Sequence, residues 1–360
     1  MASLPGSRLP QERIFSLGDL PLRSGRCLPD AQLSFLTVGE LNADRSNLVL
    51  LPTFYGAWPE DLLWCIGPIL DPRRWCVVVV SLLGNGRSSS PSHGGLPLPA
   101  QGSWPVDHSD NLRAQIRLLE ETFNVERPAL IYGWSMAAQL AYHWAVLEPE
   151  RPQRLCCLCG TARTTDHNRL FLLSLRQALT ADPAWDGLRF QAEPLAGLRQ
   201  FALIYASWAA SQPFYRRGGH RELGHASVEA YVEQAWLPLY RRHDPHNLLA
   251  MLDVWLANDV SGALADWPGA GAGQDAAADP EDPDAALAAA LGRIRAPTCV
   301  IAGRHDLYFP PDDLAWEASH IPDCSFSVLE SDLGHRAGNP RDAPTEQRAI
   351  RSAVEALCAS

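Results

Sequence analysis

No stretch of 18 consecutive apolar residues occurs in this chain of 360, so the sequence predicts no helix that spans a bilayer. Positive charge is scarce as well. Thirty basic residues stand against 41 acidic ones, a net charge of −11, and they form no stripe. A balance of that sign argues against nucleic acid and membrane surfaces as partners and leaves a small molecule as the expected one. The first residues, Met1 to Arg8, lack the apolar core of a secretory leader, and nine cysteines give no even disulfide framework. A cytoplasmic protein with buried thiols is expected. Cys156-Cys157-Leu-Cys159 lies in an apolar, strand-like run without a partner cluster, which reads as core. His93, His108, His167, His220, His225, His243, His246 and His320 show no metal-ligand spacing, so no metal is assigned. No internal repeat is visible. With 46% hydrophobic residues and 12 tryptophans, the chain can bury a large core, as one α/β domain with an insertion or as two domains.

The most informative stretch is Pro128-Ala-Leu-Ile-Tyr-Gly-Trp-Ser135-Met-Ala-Ala-Gln-Leu-Ala-Tyr-His-Trp-Ala145. A short apolar run ends at Gly133, a serine follows two residues later, and helix formers come next. That is the pattern of a strand, a sharp turn and a helix with the serine at the apex, a nucleophile elbow. Strand and helix approach closely there, so the flanks of the serine must be small. Gly133 and Ala137 meet that need, with Ala137 in place of the second glycine of G-x-S-x-G.

Residues 31–41 and 47–54 read as strands, as do Trp75–Val80 and Ala129–Tyr132, the last two apolar enough to be buried on both faces. Asp110–Phe123 has helical spacing, with Leu112, Ile116, Leu119 and Phe123 on one face. Strands alternating with helices imply a parallel sheet with right-handed crossovers. Leu155–Cys159 is a further strand. From Thr164 to Val260 helical segments dominate (Asn168–Thr180, Leu195–Ala210, Val228–Tyr240, Asn247–Asn258), the composition of a helical lid. Asp266–Asp284, rich in Ala, Gly, Asp and Pro, reads as an exposed, flexible loop. The sheet resumes at Pro297–Ala302 and Ser325–Leu329, and a helix near Thr345–Cys358 closes the chain. The predicted organisation is an α/β-hydrolase core over 1–160 and 290–360, a lid over 161–265, and a loop over 266–289.

A serine hydroxyl is a poor nucleophile near neutral pH. It needs an imidazole to take its proton and a carboxylate to fix that imidazole's tautomer. In α/β-hydrolases the acid and then the histidine follow the serine, each on a loop after a late strand. Val300-Ile-Ala-Gly-Arg-His-Asp306 and Val328-Leu-Glu-Ser-Asp-Leu-Gly-His335 supply both in that order. Asp332 is a second candidate acid, three residues from His335, where it serves equally as a turn cap; Asp306 is preferred for its strand-end position. His305 reads as a solvent-facing loop residue, and His143 as a packing or surface residue of the elbow helix. An oxyanion hole needs two backbone N–H groups: Met136, just past the nucleophile, and Phe54 in the loop Pro52-Thr-Phe-Tyr-Gly56, with Tyr55 the alternative. Gly84-Asn-Gly-Arg-Ser-Ser-Ser90 lacks the lysine of a phosphate-binding loop and reads as a tight loop at the mouth of the site.

With these residues in view, the chain resembles the homoserine O-acetyltransferase-like branch of the α/β-hydrolase superfamily over most of its length. The resemblance lies in Leu28–Ala43, in Gly133-Trp-Ser-Met136, in Leu175–Trp185 with its Arg176-Gln-Ala and Asp182-Pro-Ala-Trp185, in Ala296–Ile301 and in Asp306–Pro310. It implies Ser135 as the residue that carries an acyl group, His335 as its base and Asp306 as the orienter of that base. It further implies a mostly parallel sheet with a helical lid, and a homodimer. The transferases carry an aspartate directly after the histidine, holding the amino group of homoserine; Arg336 stands there instead. Arg199 stands where the resemblance implies a lid arginine that binds a carboxylate, with a lid arginine that snorkels to solvent as the alternative reading. With Arg336, Arg199 and Tyr55 at the substrate, an anionic ligand is expected. The chain is therefore expected to be a serine-nucleophile acyl-transfer enzyme that needs no cofactor and hydrolyses a small ester or amide bearing a carboxylate. The alternatives are O-acetylation with acetyl-CoA as co-substrate, and a catalytically idle binding protein.

Overall fold

A computed structural model describes residues 10–93, 96, 98, 103–268 and 282–359. Eight strands form one sheet: β1 (Arg13–Pro21), β2 (Cys27–Val38), β3 (Leu48–Pro52), β4 (Cys76–Val80), β5 (Leu130–Trp134), β6 (Leu155–Leu158), β7 (Thr298–Gly303) and β8 (Cys324–Leu329). Their order is β1-β2-β4-β3-β5-β6-β7-β8, antiparallel between β1, β2 and β4 and parallel from β4 onward. The central strands are apolar throughout because helices cover both faces. Leu48, Leu50, Val78 and Ile131 pack under the helices His108–Leu118 and Met136–Leu147. Val49, Leu51, Val77 and Leu130 face the 59–65 turn and the closing helix Pro344–Ala359.

Strand β1 was not expected. It is an edge hairpin partner of β2 with a largely exposed face, so it carries no apolar run to betray it, and Gly18 marks a break in its register. The helix predicted from Asp110 starts at His108, capped by Asp107, whose carboxylate accepts from the N–H groups of Ser109 and Asp110. Most of the expected flexible loop, 269–281, lies outside the described residues. Its last part is corrected: Pro283–Leu291 is helical, started by the Asp282 cap with proline in the first turn.

Between β6 and β7 the chain leaves the sheet. Helices Asp166–Thr180, Leu195–Ala209 and Pro245–Leu256, with several shorter ones, stack over the C-terminal ends of the parallel strands. Their inner face is aromatic: Phe171, Phe201, Tyr205, Tyr240 and Trp255 pack with Tyr55 and Tyr308 of the core. Polar ties fix this layer to the core. Tyr55 donates to the Leu248 carbonyl at 3.0 Å, and the Arg242 guanidinium is held by the Asp61 carboxylate and the Gly56 carbonyl while lying 4.4 Å over the Trp58 ring.

Candidate active site

The elbow forms where the sequence placed it. Ser135 follows β5, takes φ +59°, a left-handed conformation, and opens the helix Met136–Leu147. A Cβ on Gly133 would lie 2.4 Å from the Ala137 carbonyl oxygen, so only glycine lets strand and helix meet at this separation. Met136 is the first helical residue, and its N–H is one of the donors a helix start leaves unpaired. In the loop after β3, the Phe54 N–H has no acceptor among the described residues. Met136 N–H and Phe54 N–H are thus available as the two expected oxyanion donors.

The loops after β7 and β8 bring in the other two groups. Ser135 Oγ lies 2.9 Å from His335 Nε2, and His335 Nδ1 lies 2.7 Å from Asp306 Oδ2. Facing a carboxylate, Nδ1 carries the proton and donates it, which leaves Nε2 as the acceptor for the serine hydroxyl. All three residues are buried. Asp306 is fixed in turn, its Oδ1 accepting the N–H groups of Tyr308 at 2.8 Å and Phe309 at 3.2 Å. The imidazole is wedged by rings: Trp134 stacks on it at 4.7 Å and Tyr308 meets it edge-on at 4.7 Å. Asp332, the other candidate acid, is turned away to Arg217. His305 is exposed, and His143 is buried against Asn258 at 3.1 Å.

One neighbour escaped the sequence reading. Cys159, at the end of β6 with φ +46°, places its thiol with the Asp306 carboxylate and the His335 ring inside 4.8 Å. Burial, and then the charge of Asp306, push this thiol far above its ordinary pKa, so it sits there neutral. Asp306 is already engaged with His335, and His335 with Ser135, so the cluster is a hydrogen-bonded set with the thiol beside the acid.

Above Ser135 lies a cavity of about 450 Å³, between core and lid. Tyr205, Tyr231, Trp236 and Tyr240 make it aromatic, and exposed Leu223, Arg341 and Asp342 on its rim connect it to solvent. Phe54, Tyr55 and Arg336 line it as expected. Arg336 is half-buried, donates to the Tyr231 hydroxyl at 2.9 Å, and forms no ion pair among the described residues. Tyr55 contributes its ring, its hydroxyl being spent on the lid carbonyl. Two expectations are corrected. Arg199 is on the outer face of the lid, exposed and paired with Glu233 at 3.0 Å, because its helix turns Phe201 and Tyr205 inward instead. The 84–90 loop lines no part of the cavity; Asn85 donates to Thr53 Oγ1 and the Ala57 carbonyl and so braces the Phe54 loop from behind. Tyr231, Trp236 and Arg242 were missed as lining residues, since which way a lid helix faces depends on packing that the sequence does not state.

Comparison with known proteins matches this arrangement. The family model described as alpha/beta hydrolase fold matches residues 47–337. An ethyl acetate hydrolase of Pseudomonas veronii is 38% identical over 327 residues, covering 89% of this chain and 88% of its own. The structure of an acetylester hydrolase from Corynebacterium glutamicum superposes with a TM-score of 0.85 at 30% identity, over 97% of this chain and 96% of that one. A homoserine O-acetyltransferase of Thermobifida fusca is 28% identical over 88% of this chain and 86% of its own. With a serine elbow, a histidine and an acid after the strands that this fold reserves for them, the chain belongs to the α/β-hydrolase fold family, in the branch that holds ester hydrolases beside homoserine acyltransferases.

Proposed function

We propose that the protein hydrolyses esters of short acyl groups through an acyl-enzyme on Ser135. The observation that carries this reading is the unbroken relay from Ser135 Oγ to His335 Nε2 at 2.9 Å and from His335 Nδ1 to Asp306 at 2.7 Å, under a cavity that reaches solvent. His335 takes the hydroxyl proton as Ser135 attacks the ester carbonyl, and Asp306 holds the resulting imidazolium. The N–H groups of Met136 and Phe54 receive the carbonyl oxygen as it gains charge. His335 then gives the proton to the leaving alcohol. A water molecule, deprotonated by the same nitrogen, releases the acid and restores the serine.

Hydrolysis is favoured over transfer to homoserine because Arg336, a cation, lines the cavity where the transferases hold an ammonium group. The ester hydrolases at 38% and 30% identity point the same way. Arg336, with no carboxylate partner among the described residues, favours a substrate with an anionic group on its alcohol side, although Arg199 no longer supports it. No cofactor is required by this chemistry, and nine unpaired thiols suit a cytoplasmic setting; among the described residues no helix is long and apolar enough to cross a membrane. The test is to assay ethyl acetate and p-nitrophenyl acetate beside acetyl-CoA with homoserine, and to label with a fluorophosphonate. Ester turnover with labelling that vanishes in Ser135→Ala is expected. Faster acetylation of homoserine than hydrolysis, or labelling that survives Ser135→Ala, would refute the reading.

A further inference from the structure

Behind the wall of the active-site cavity lies a second, smaller space of about 20 Å³, bounded by Leu51, Leu62, Trp64, Cys65 and Tyr132. Phe54, Trp134 and Asn339 belong to the walls of both. Their rings meet edge to face with centroids 4.4 Å apart. The indole is pinned by Gly338, where a Cβ would lie 2.5 Å from Trp134 Cδ1. The two rings, with Asn339 beside them, therefore form a partition one side chain thick between Ser135 and a mostly apolar recess. A recess of this size has room for about one water molecule and for no run of methylenes.

We propose that the Phe54–Trp134 partition sets the acyl length, holding the enzyme to acetyl-sized groups, and that the recess behind it is the path a longer acyl chain takes when the partition is thinned. The acyl side is assigned on two grounds. The ester carbonyl docks against the Phe54 N–H, so the carbon chain attached to it starts beside the Phe54 and Trp134 rings. The alcohol must leave and water must enter while the acyl group stays bound, and the large cavity that reaches solvent serves that traffic. This rests on the reading of Ser135 as the nucleophile.

The test compares kcat/KM for p-nitrophenyl acetate, butyrate and hexanoate in the native protein, Trp134→Ala, Phe54→Ala and the double variant Trp134→Ala/Leu62→Phe. Both partition variants touch the reaction centre, so the ratio of hexanoate to acetate is the readout. That ratio rises by about tenfold or more in each single variant. It falls back in the double variant, where Leu62→Phe refills the recess. An unchanged ratio in Phe54→Ala and in whichever Trp134 variant retains turnover overturns the proposal. So does a rise that Leu62→Phe leaves intact, or a shift seen with hexyl acetate against ethyl acetate in place of the acyl series. Failure of the nucleophile reading shows separately, as hydrolysis by the native protein that survives Ser135→Ala.

Discussion

Replacing Asp306 by asparagine is the sharpest probe of the relay, because it removes a charge and leaves the shape. In the native protein Asp306 Oδ1 accepts two backbone N–H groups, from Tyr308 and Phe309, while Oδ2 accepts His335 Nδ1–H. An asparagine must keep its carbonyl oxygen on the two backbone donors, since turning it round would set its NH2 against them in a buried site. Its NH2 then faces Nδ1, which must become an acceptor. The imidazole proton moves to Nε2, and the nitrogen that should take the serine proton already carries one. The wrong tautomer in the same geometry costs on the order of 10⁴ in kcat, about 5 kcal/mol of barrier. Asp332 offers no rescue, being held by Arg217. Steady-state kinetics on p-nitrophenyl acetate, with circular dichroism and a melting curve to show an intact fold, make the measurement. An Asp306→Asn protein that keeps more than about a tenth of native kcat would refute the assignment of this residue as the orienting acid.

Other expectations follow from neighbouring contacts. Gly338→Ala sets a Cβ 2.5 Å from Trp134 Cδ1 and 2.8 Å from Cys159 Sγ, displacing the indole that stacks on His335; kcat falls by about tenfold or more with KM little changed, and an unaltered kcat refutes the role of that stacking. Arg336→Met lowers kcat/KM for acetyl esters of hydroxy acids by about tenfold or more while neutral ethyl acetate changes little; equal losses on both would remove the anionic preference. Glu317 is buried with its carboxyl accepting the Ala162 N–H at 2.9 Å, and burial raises its pKa from 4.5 to about 8. The folded protein thus holds a proton that the unfolded chain releases, so its contribution to stability is complete below about pH 4.5 and is lost as pH rises through about 8. The melting temperature of Glu317→Gln relative to native therefore increases between pH 5 and pH 9, and a difference that stays flat across that range would contradict it.

The elbow was legible because it is local: Gly133, Ser135 and Ala137 lie within five residues, and their small size is dictated by a contact between adjacent elements. Asp306 and His335 were legible through order and strand-end position, and geometry separated Asp306 from Asp332. The lid was readable as helices but not as a surface. Arg199 and Tyr205 lie on one helix, and only packing against Tyr55 and Tyr240 decides that the tyrosine faces inward and the arginine outward. Cys159 was hidden for a related reason. Its neighbours in sequence are core thiols, and its contact with Asp306 crosses from β6 to the loop after β7. Strand β1 was hidden because an edge strand with one wet face leaves only a faint alternation.

The ties that hold the lid, Arg242 on Asp61 and Trp58 and Tyr55 on the Leu248 carbonyl, fix it over a cavity that already reaches solvent, with no oil surface needed to uncover Ser135. Under the proposed reading, turnover is expected to follow the concentration of dissolved ester. As an ester is raised past its solubility limit and droplets separate, the velocity is expected to level off, and a jump at that point would contradict this reading of the lid.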